Sequence, residues 1–230
     1  ICPSRGLGDV YKRQIKYSLK LFDNKLVEGV LIPSRKRLTA CVSSQAGCSL
    51  SCTFCATGTL KLERNLDFGE IYDQVFILNE EAKQNFGRPL SNIVYMGMGE
   101  PLLNYDNLIK SINLISSKDG LSMSPKRITV STAGIAKMIK KLADDEVKFN
   151  LALSLHTADD KKRDEIMPIN QSINIAKLEE SIKYFYERTG TRVTYEYILF
   201  NGINDSIEDA SKLLKLCKKT PSKVNLIEYN

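Results

Sequence analysis

Residues 127–155 read RITVSTAGIAKMIKKLADDEVKFNLALSL. The opening run Arg127–Ser131 has the β-branched composition of a strand. Ile135, Met138, Ile139 and Leu142 then recur at spacings of three and four, which gathers them on one helix face. Phe149–Leu155 returns to a strand-like apolar run. Two strands joined through a helix run parallel, because a tight hairpin cannot connect them and the helix must pack back on the sheet.

The same alternation continues on both sides. Leu38–Ser43, Asn92–Met96, Arg192–Leu199 and Lys223–Tyr229 are further strand candidates. Helical stripes lie at Ile71, Val75, Leu78; at Leu108, Ile112, Ile115; at Ile175, Leu178, Ile182, Phe185; and at Ile207, Ala210, Leu214, Cys217. Gly190 is a natural stop for the third of these, and Ser206 with Asp209 forms a capping box for the last. The pattern predicts an α/β protein with a parallel sheet and outer helices. Six units suit a partial (β/α)6 TIM-like barrel better than a closed barrel of eight, although a doubly wound open sheet shares the local pattern. Either architecture gathers chemistry at the carboxyl ends of the strands.

The chain has 230 residues, 26% charged and 43% hydrophobic, as expected for one or two globular domains. No apolar run approaches the roughly 18–20 residues that cross a bilayer, and no secretory signal is evident, so the expectation is a cytoplasmic protein with no membrane partner. The net charge of +6 suits a polyanionic partner without requiring one. Residues 1–14 lack periodicity and read as a non-native or disordered leader, and residues 15–40 as a lead-in segment. Residues 41–230 read as the core, with its C-terminal part missing because the chain stops directly after a strand-like run.

Of six cysteines, three crowd into Cys48-Ser-Leu-Ser-Cys52-Thr-Phe-Cys55, and Cys41 lies just upstream. Such clustering favours metal or redox chemistry over structural disulfides. Three thiolates in a C-x3-C-x2-C loop ligate three irons of a [4Fe–4S] cluster and leave the fourth iron open. The amine and carboxylate of S-adenosylmethionine (SAM) chelate there, and one electron then breaks a carbon–sulfur bond. A zinc knuckle is the alternative, with Cys41, Cys217 or His156 as fourth ligand, but the chain has no second C-x2-C or C-x2-H pair. Phe54 supplies an apolar shell beside the third cysteine.

The cysteine spacing, with an aromatic before the third cysteine, resembles the radical SAM superfamily. Cys41-Val-Ser-Ser-Gln-Ala-Gly-Cys48, Tyr95-Met-Gly-Met-Gly-Glu-Pro101, Ser131-Thr-Ala-Gly134, Leu153-Ser-Leu-His156 and Val224-Asn-Leu-Ile227 together look like the RlmN-type adenine methyltransferases, from about Glu28 to Asn230. That resemblance implies an enzyme that methylates carbon 2 of adenine in 23S rRNA and tRNA, using a [4Fe–4S] cluster and SAM with an electron donor such as flavodoxin or ferredoxin. Position by position it implies Cys48, Cys52 and Cys55 as cluster ligands, and Gly99, Glu100, Ser131, Ser154, Leu155, His156 and Asn230 as SAM contacts. It also implies Glu28 as an acid/base carboxylate.

Carbon 2 of adenine is electron-poor and carries no acidic proton, so polar methyl transfer fails there and a radical is needed. In the resembling family a 5′-deoxyadenosyl radical activates a methyl group carried on a cysteine near the C-terminus. A second cysteine, matched by Cys41, resolves the enzyme–RNA adduct by forming a disulfide with it. The methyl-carrying cysteine lies beyond the sixth strand, and Cys217 belongs to a helical stripe before it. The expectation is that this chain binds cluster and SAM without completing methylation. Arg35-Lys36-Arg37 and Lys161-Lys162-Arg163 are candidate phosphate contacts. A related carbon-8 adenine methylase and a non-catalytic zinc or RNA-binding module are the alternatives.

Overall fold

The computed structural model describes Pro3–Ser4 and residues 14–229. Asn230, Cys2 and the rest of the leader lie outside the described residues. The chain divides into two compact units, residues 1–49 with 60–130, and residues 50–59 with 131–230.

In the first unit β1 (Pro3–Ser4), β2 (Ile15–Lys20), β3 (Leu26–Pro33) and β4 (Leu38–Cys41) form an antiparallel meander. The lead-in segment, residues 15–40, therefore holds β2, β3 and the start of β4. Their signal is alternation: Tyr17 and Leu19 on β2, and Val27 and Leu31 on β3, are buried while their neighbours face out. The connecting turn closes through Asn24, which takes φ 67°, a conformation asparagine tolerates. Arg64 pins this turn, bonding Asp23 at 2.7 Å and both carboxylate oxygens of Glu70 at 2.7 and 2.8 Å. It belongs to β6 (Arg64–Asn65), which pairs with β5 (Gln45–Ala46).

Beyond β4 the sheet turns parallel, with β7 (Asn92–Tyr95) beside β4 and β8 (Ile128–Thr132) beside β7. The connections are α1 (Phe68–Phe86) and α2 (Tyr105–Ser116). Asp67 and Glu70 make a reciprocal capping box that starts α1, and Gly87 in a left-handed conformation ends it. Ile71, Val75 and Leu78 are wholly buried, as their spacing predicts.

In the second unit α3 (Ala136–Asp144), β9 (Asn150–Ser154), α4 (Asp160–Ile166), α5 (Ile175–Thr189), β10 (Val193–Leu199), α6 (Ile207–Cys217) and β11 (Ser222–Glu228) follow in order. Strands β9, β10 and β11 are parallel neighbours, so the expected strand–helix alternation holds with ends shifted by one or two residues. Gly190 closes α5 and a Ser206–Asp209 capping box opens α6. The addition is α4, whose polar sequence DKKRDEI carries no apolar stripe.

Side chains alternate between the two faces of these strands. Leu153 and Leu178 of α5 close around Gly134, and Tyr197 and Leu199 line one groove with Ala210, Leu213 and Leu214 of α6. Odd-numbered residues of β9 and β10 therefore face the helices, and Ser154 and Glu196 lie on the opposite face.

Candidate functional site

The cysteine loop begins at Gly47, which takes φ 80°. A Cβ there would stand 2.0 Å from the Lys61 carbonyl oxygen, so only glycine fits before Cys48. Cys52 and Cys55 share one tight turn in the second unit. The Cys55 N–H donates to Cys52 O at 3.2 Å, and the Gly58 N–H donates to Cys55 O at 2.9 Å. A Cβ on Gly58 would come within 2.5 Å of the Cys52 carbonyl oxygen. Thr53 donates its N–H to the Ile166 carbonyl at 3.1 Å, tying the turn to the end of α4. Cys52 and Phe54 pack on Ile166, Met167 and Phe200.

Cys48, Cys52 and Cys55 are half-buried thiols, and their spacing in the chain suits a cluster that spreads its ligands over several irons. Among the described residues no three His, Cys, Asp or Glu side chains, the three loop thiols included, converge where a single metal ion would sit.

His156 lies beneath the cysteine turn, its ring 4.7 Å from that of Phe54 in an edge contact. Its φ of 56° is costly for a residue with a side chain, and the surroundings hold it there. Its Nδ1 accepts from the Ile198 N–H at 3.2 Å, which places the proton of the neutral ring on Nε2. Its carbonyl accepts from Asn204 Nδ2. Burial, with the Arg163 charge adding, lowers the imidazole pKa to about 3.

Arg163 is the hub of this region. It is wholly buried and donates to the carbonyls of Ala133 (2.7 Å), Ser154 (3.1 Å) and Leu155 (3.2 Å) and to Asn170 Oδ1 (2.9 Å). Burial lowers its pKa to about 10, a fall opposed by charge interactions with Cys52, Asp160 and Asp164. A cation here favours negative charge on the cysteine turn.

The other expected SAM contacts lie at strand ends. Ser131 Oγ and Ser154 Oγ are 3.4 Å apart on the face away from the helices. The Leu155 side chain is buried, and its N–H donates to Glu196 O at 3.1 Å. In the first unit Gly99 takes φ 91°, and a Cβ would stand 2.4 Å from Gln45 Cβ. Gln45 accepts from the Glu100 N–H at 2.8 Å, while Glu100 Oε1 accepts from the Leu102 N–H at 3.0 Å. Glu100 is thus buried and already serves as a helix cap.

Cys41 is buried at the end of β4, opposite Val30. Burial pushes its thiol up to about 11; a backbone hydrogen bond from Met96 works against this and the Glu28 charge with it. Glu28 is an exposed strand residue paired with Lys16 at 2.5 Å. Its carbonyl accepts from Ser43 Oγ at 2.7 Å.

The model of the radical SAM superfamily matches residues 42–214, most of the chain and all three cysteines of the loop. The chain belongs to the radical SAM superfamily. A probable dual-specificity RNA methyltransferase RlmN of Flavobacterium psychrophilum is 58% identical over 94% of this chain and 62% of its own length. A dual-specificity RNA methyltransferase RlmN of Anaeromyxobacter is 48% identical over 94% and 58%. The crystal structure of a radical SAM methyltransferase from Sphaerobacter thermophilus superposes with a TM-score of 0.93 at 38% identity, covering 100% of this chain and 67% of that one. The chain therefore spans about three fifths of the length of the curated relatives it matches. The α/β fold class of radical SAM type expected from the sequence holds.

Within the second unit Arg163 and α4 link the cysteine turn to the tips of the strands that carry Ser131, Ser154, Leu155 and His156, all expected site residues. Reading Lys161-Lys162-Arg163 as a phosphate contact fails for Arg163, while Lys162 is half-buried in an ion pair. Arg163 is internal, and Lys162 is held by Asp209 at 2.6 Å. Arg35, Lys36 and Arg37 are exposed at the β3–β4 turn. Cys217 lines an apolar groove with Leu213, Leu214 and Val224. Sequence reading missed the roles of Gln45, Arg163 and Asn204; each has one partner 30 or more residues away, Glu100, Ala133 and His156 respectively. No helix among the described residues is long and apolar enough to cross a membrane.

Proposed function

We propose that this chain is the core of a radical SAM RNA methyltransferase acting on carbon 2 of adenine in 23S rRNA and tRNA, in the cytoplasm. The carrying observation is the seat of the cysteine turn: Phe54, between two of the thiols, rests on His156 at a strand tip. This supports reading the loop as part of a site at the carboxyl ends of the strands. The RlmN relatives support the RNA substrate.

In this reading Cys48, Cys52 and Cys55 hold the [4Fe–4S] cluster. Gly99, Glu100, Ser131, Ser154, Leu155, His156 and Asn230 surround SAM. Held there, the cluster, given an electron by a flavodoxin or ferredoxin, would with SAM supply one-electron chemistry able to functionalise an unactivated carbon. Phe54 and Phe200 keep water from the cysteine turn, and Arg163 fixes the strand tips beneath it. Cys41 and Glu28 serve the RNA side, as resolving thiol and acid/base carboxylate. Arg35, Lys36 and Arg37 meet phosphates.

Chromatography with mass spectrometry on the reduced, iron-loaded protein incubated with SAM tests the reading. The expected product is 5′-deoxyadenosine, lost when any of the three cysteines becomes alanine. A protein of the relatives' full length, given 23S rRNA, is expected to form 2-methyladenosine. Finding 8-methyladenosine instead would move the assignment to carbon 8, and absence of 5′-deoxyadenosine would overturn it.

A further inference from the structure

Six cations gather at one end of the first unit. Arg35, Lys36 and Arg37 form the β3–β4 turn, Arg88 precedes β7, and Lys126 with Arg127 precedes β8. Strands β4, β7 and β8 are parallel neighbours, so these three segments share the amino-terminal edge of the sheet. Hydrogen bonds join them into one surface. Arg88 Nη2 donates to the carbonyls of Ser34 at 2.9 Å and Arg37 at 3.4 Å. The Leu38 N–H donates to Ser91 Oγ at 2.9 Å, and Asn92 Nδ2 donates to the Arg127 carbonyl at 3.4 Å.

The charge of this edge is not neutralised within the protein. Segments 34–37, 87–91 and 125–127 contain no Asp or Glu, and Lys118 at the end of α2 is offset by Asp119 beside it. Among the described residues no ion pair takes up Arg35, Lys36, Arg37, Arg88 or Arg127. Like charges held together repel one another, so the cluster costs stability until an anion settles on it. The edge also lacks the apolar centre of a protein interface: among the described residues, no large exposed apolar side chain falls in these segments. Clustered cations without such a centre are the footprint of a phosphate backbone.

Position decides which part of an RNA this edge meets. Strand β4 (Leu38–Cys41) leads from the turn to Cys41, a rise of roughly 10 Å. Arg37 and Cys41 thus sit at opposite ends of one strand, and a phosphate on the turn belongs to a different stretch of RNA from the base presented to Cys41. We propose that the amino-terminal edge of the first unit holds RNA backbone remote from the target adenine, as a sequence-independent anchor that raises affinity without entering the chemistry. This rests on the RNA methyltransferase reading above.

Equilibrium binding of two RNAs over a range of salt concentrations tests the proposal. One is a 23S rRNA stem-loop just long enough to present the target adenine, and the other a fragment of several helices that contains it. The triple variant Arg35→Gln, Lys36→Gln, Arg127→Gln is expected to bind the fragment about ten- to a hundredfold more weakly at about 0.15 M salt. Its log–log salt slope should be flatter by about 2–3, the share of three phosphate contacts. The stem-loop should bind wild type and variant alike. As a control, Lys140→Gln, Lys183→Gln, Lys219→Gln removes the same charge from ion-paired sites of the second unit and should leave both RNAs bound as in wild type. Equal losses for stem-loop and fragment, or an equal effect of the control, overturn the assignment. Undiminished fragment binding by the first variant overturns it too, and slower reduction of that variant by an acidic flavodoxin would then give the edge to a protein partner. A wild type that binds neither RNA removes the proposed function and this inference together.

Discussion

The guanidinium of Arg163 lies 2.7 Å from the carbonyl oxygen of Ala133, thirty residues earlier in the chain. Its other donors reach Ser154, Leu155 and Asn170, so one buried cation ties the end of β8, the tip of β9 and the segment after α4 into a single support. Replacing it with methionine strands these acceptors without solvent. Arg163→Met is expected to lower unfolding free energy by about 3–5 kcal/mol, and Arg163→Lys, which keeps the charge but not the fork, by about 1–3 kcal/mol. Urea denaturation monitored by circular dichroism reads both. A methionine variant within 1 kcal/mol of wild type, roughly the worth of one ordinary hydrogen bond, would show that the hub is dispensable.

His156 couples the same region to pH. Its folded pKa of about 3 lies below the ordinary value of 6.5, chiefly through burial and further through Arg163, so the unfolded chain binds the proton more readily. Its contribution is complete above about pH 6.5 and is lost progressively as pH falls toward 3. Unfolding free energy of His156→Asn is expected to change less between pH 7 and 5 than that of wild type. Parallel pH profiles for the two proteins would contradict the assignment.

How far the sequence reveals this molecule depends on whether a residue's role is periodic. The stripes Ile71, Val75, Leu78 and Ile175, Leu178, Ile182, Phe185 bury as their spacing requires, because burial is a property of a helix face. Helix α4 has no such stripe. Its DKKRDEI reads as a solvated charge run, yet Arg163 turns inward to carbonyls contributed by other segments, and those partners cannot be seen in a window of local sequence. The β2–β3 hairpin rests on the alternation of Tyr17, Leu19, Val27 and Leu31 around the Asp23-Asn24 turn, which the reading of residues 15–40 as a lead-in segment did not resolve into strands. The cysteine spacing was fully legible, whereas the contact of Phe54 with His156 depends on the three-dimensional path between them.

Cys41 is set apart from the other thiols by its surroundings. A thiol raised to about 11, mainly by burial, holds roughly a hundredfold less thiolate at pH 8 than an ordinary exposed cysteine. Alkylation of the native, metal-free protein with iodoacetamide, followed by peptide mass mapping, should mark Cys48, Cys52 and Cys55 and leave Cys41 unmodified until denaturant is added. Labelling of Cys41 at the rate of the loop cysteines would place it in a different environment.

The proposed function stands or falls on an iron–sulfur cluster in the C-x3-C-x2-C loop. Anaerobic reconstitution with iron and sulfide, followed by metal analysis and electron paramagnetic resonance after dithionite reduction, tests it directly. The account predicts about four irons per chain, a brown colour that bleaches on reduction and a reduced-cluster signal that changes when SAM is added, all abolished by replacing any one of Cys48, Cys52 and Cys55 with alanine. A colourless protein that retains zinc, or one whose iron content is indifferent to these three substitutions, would contradict it.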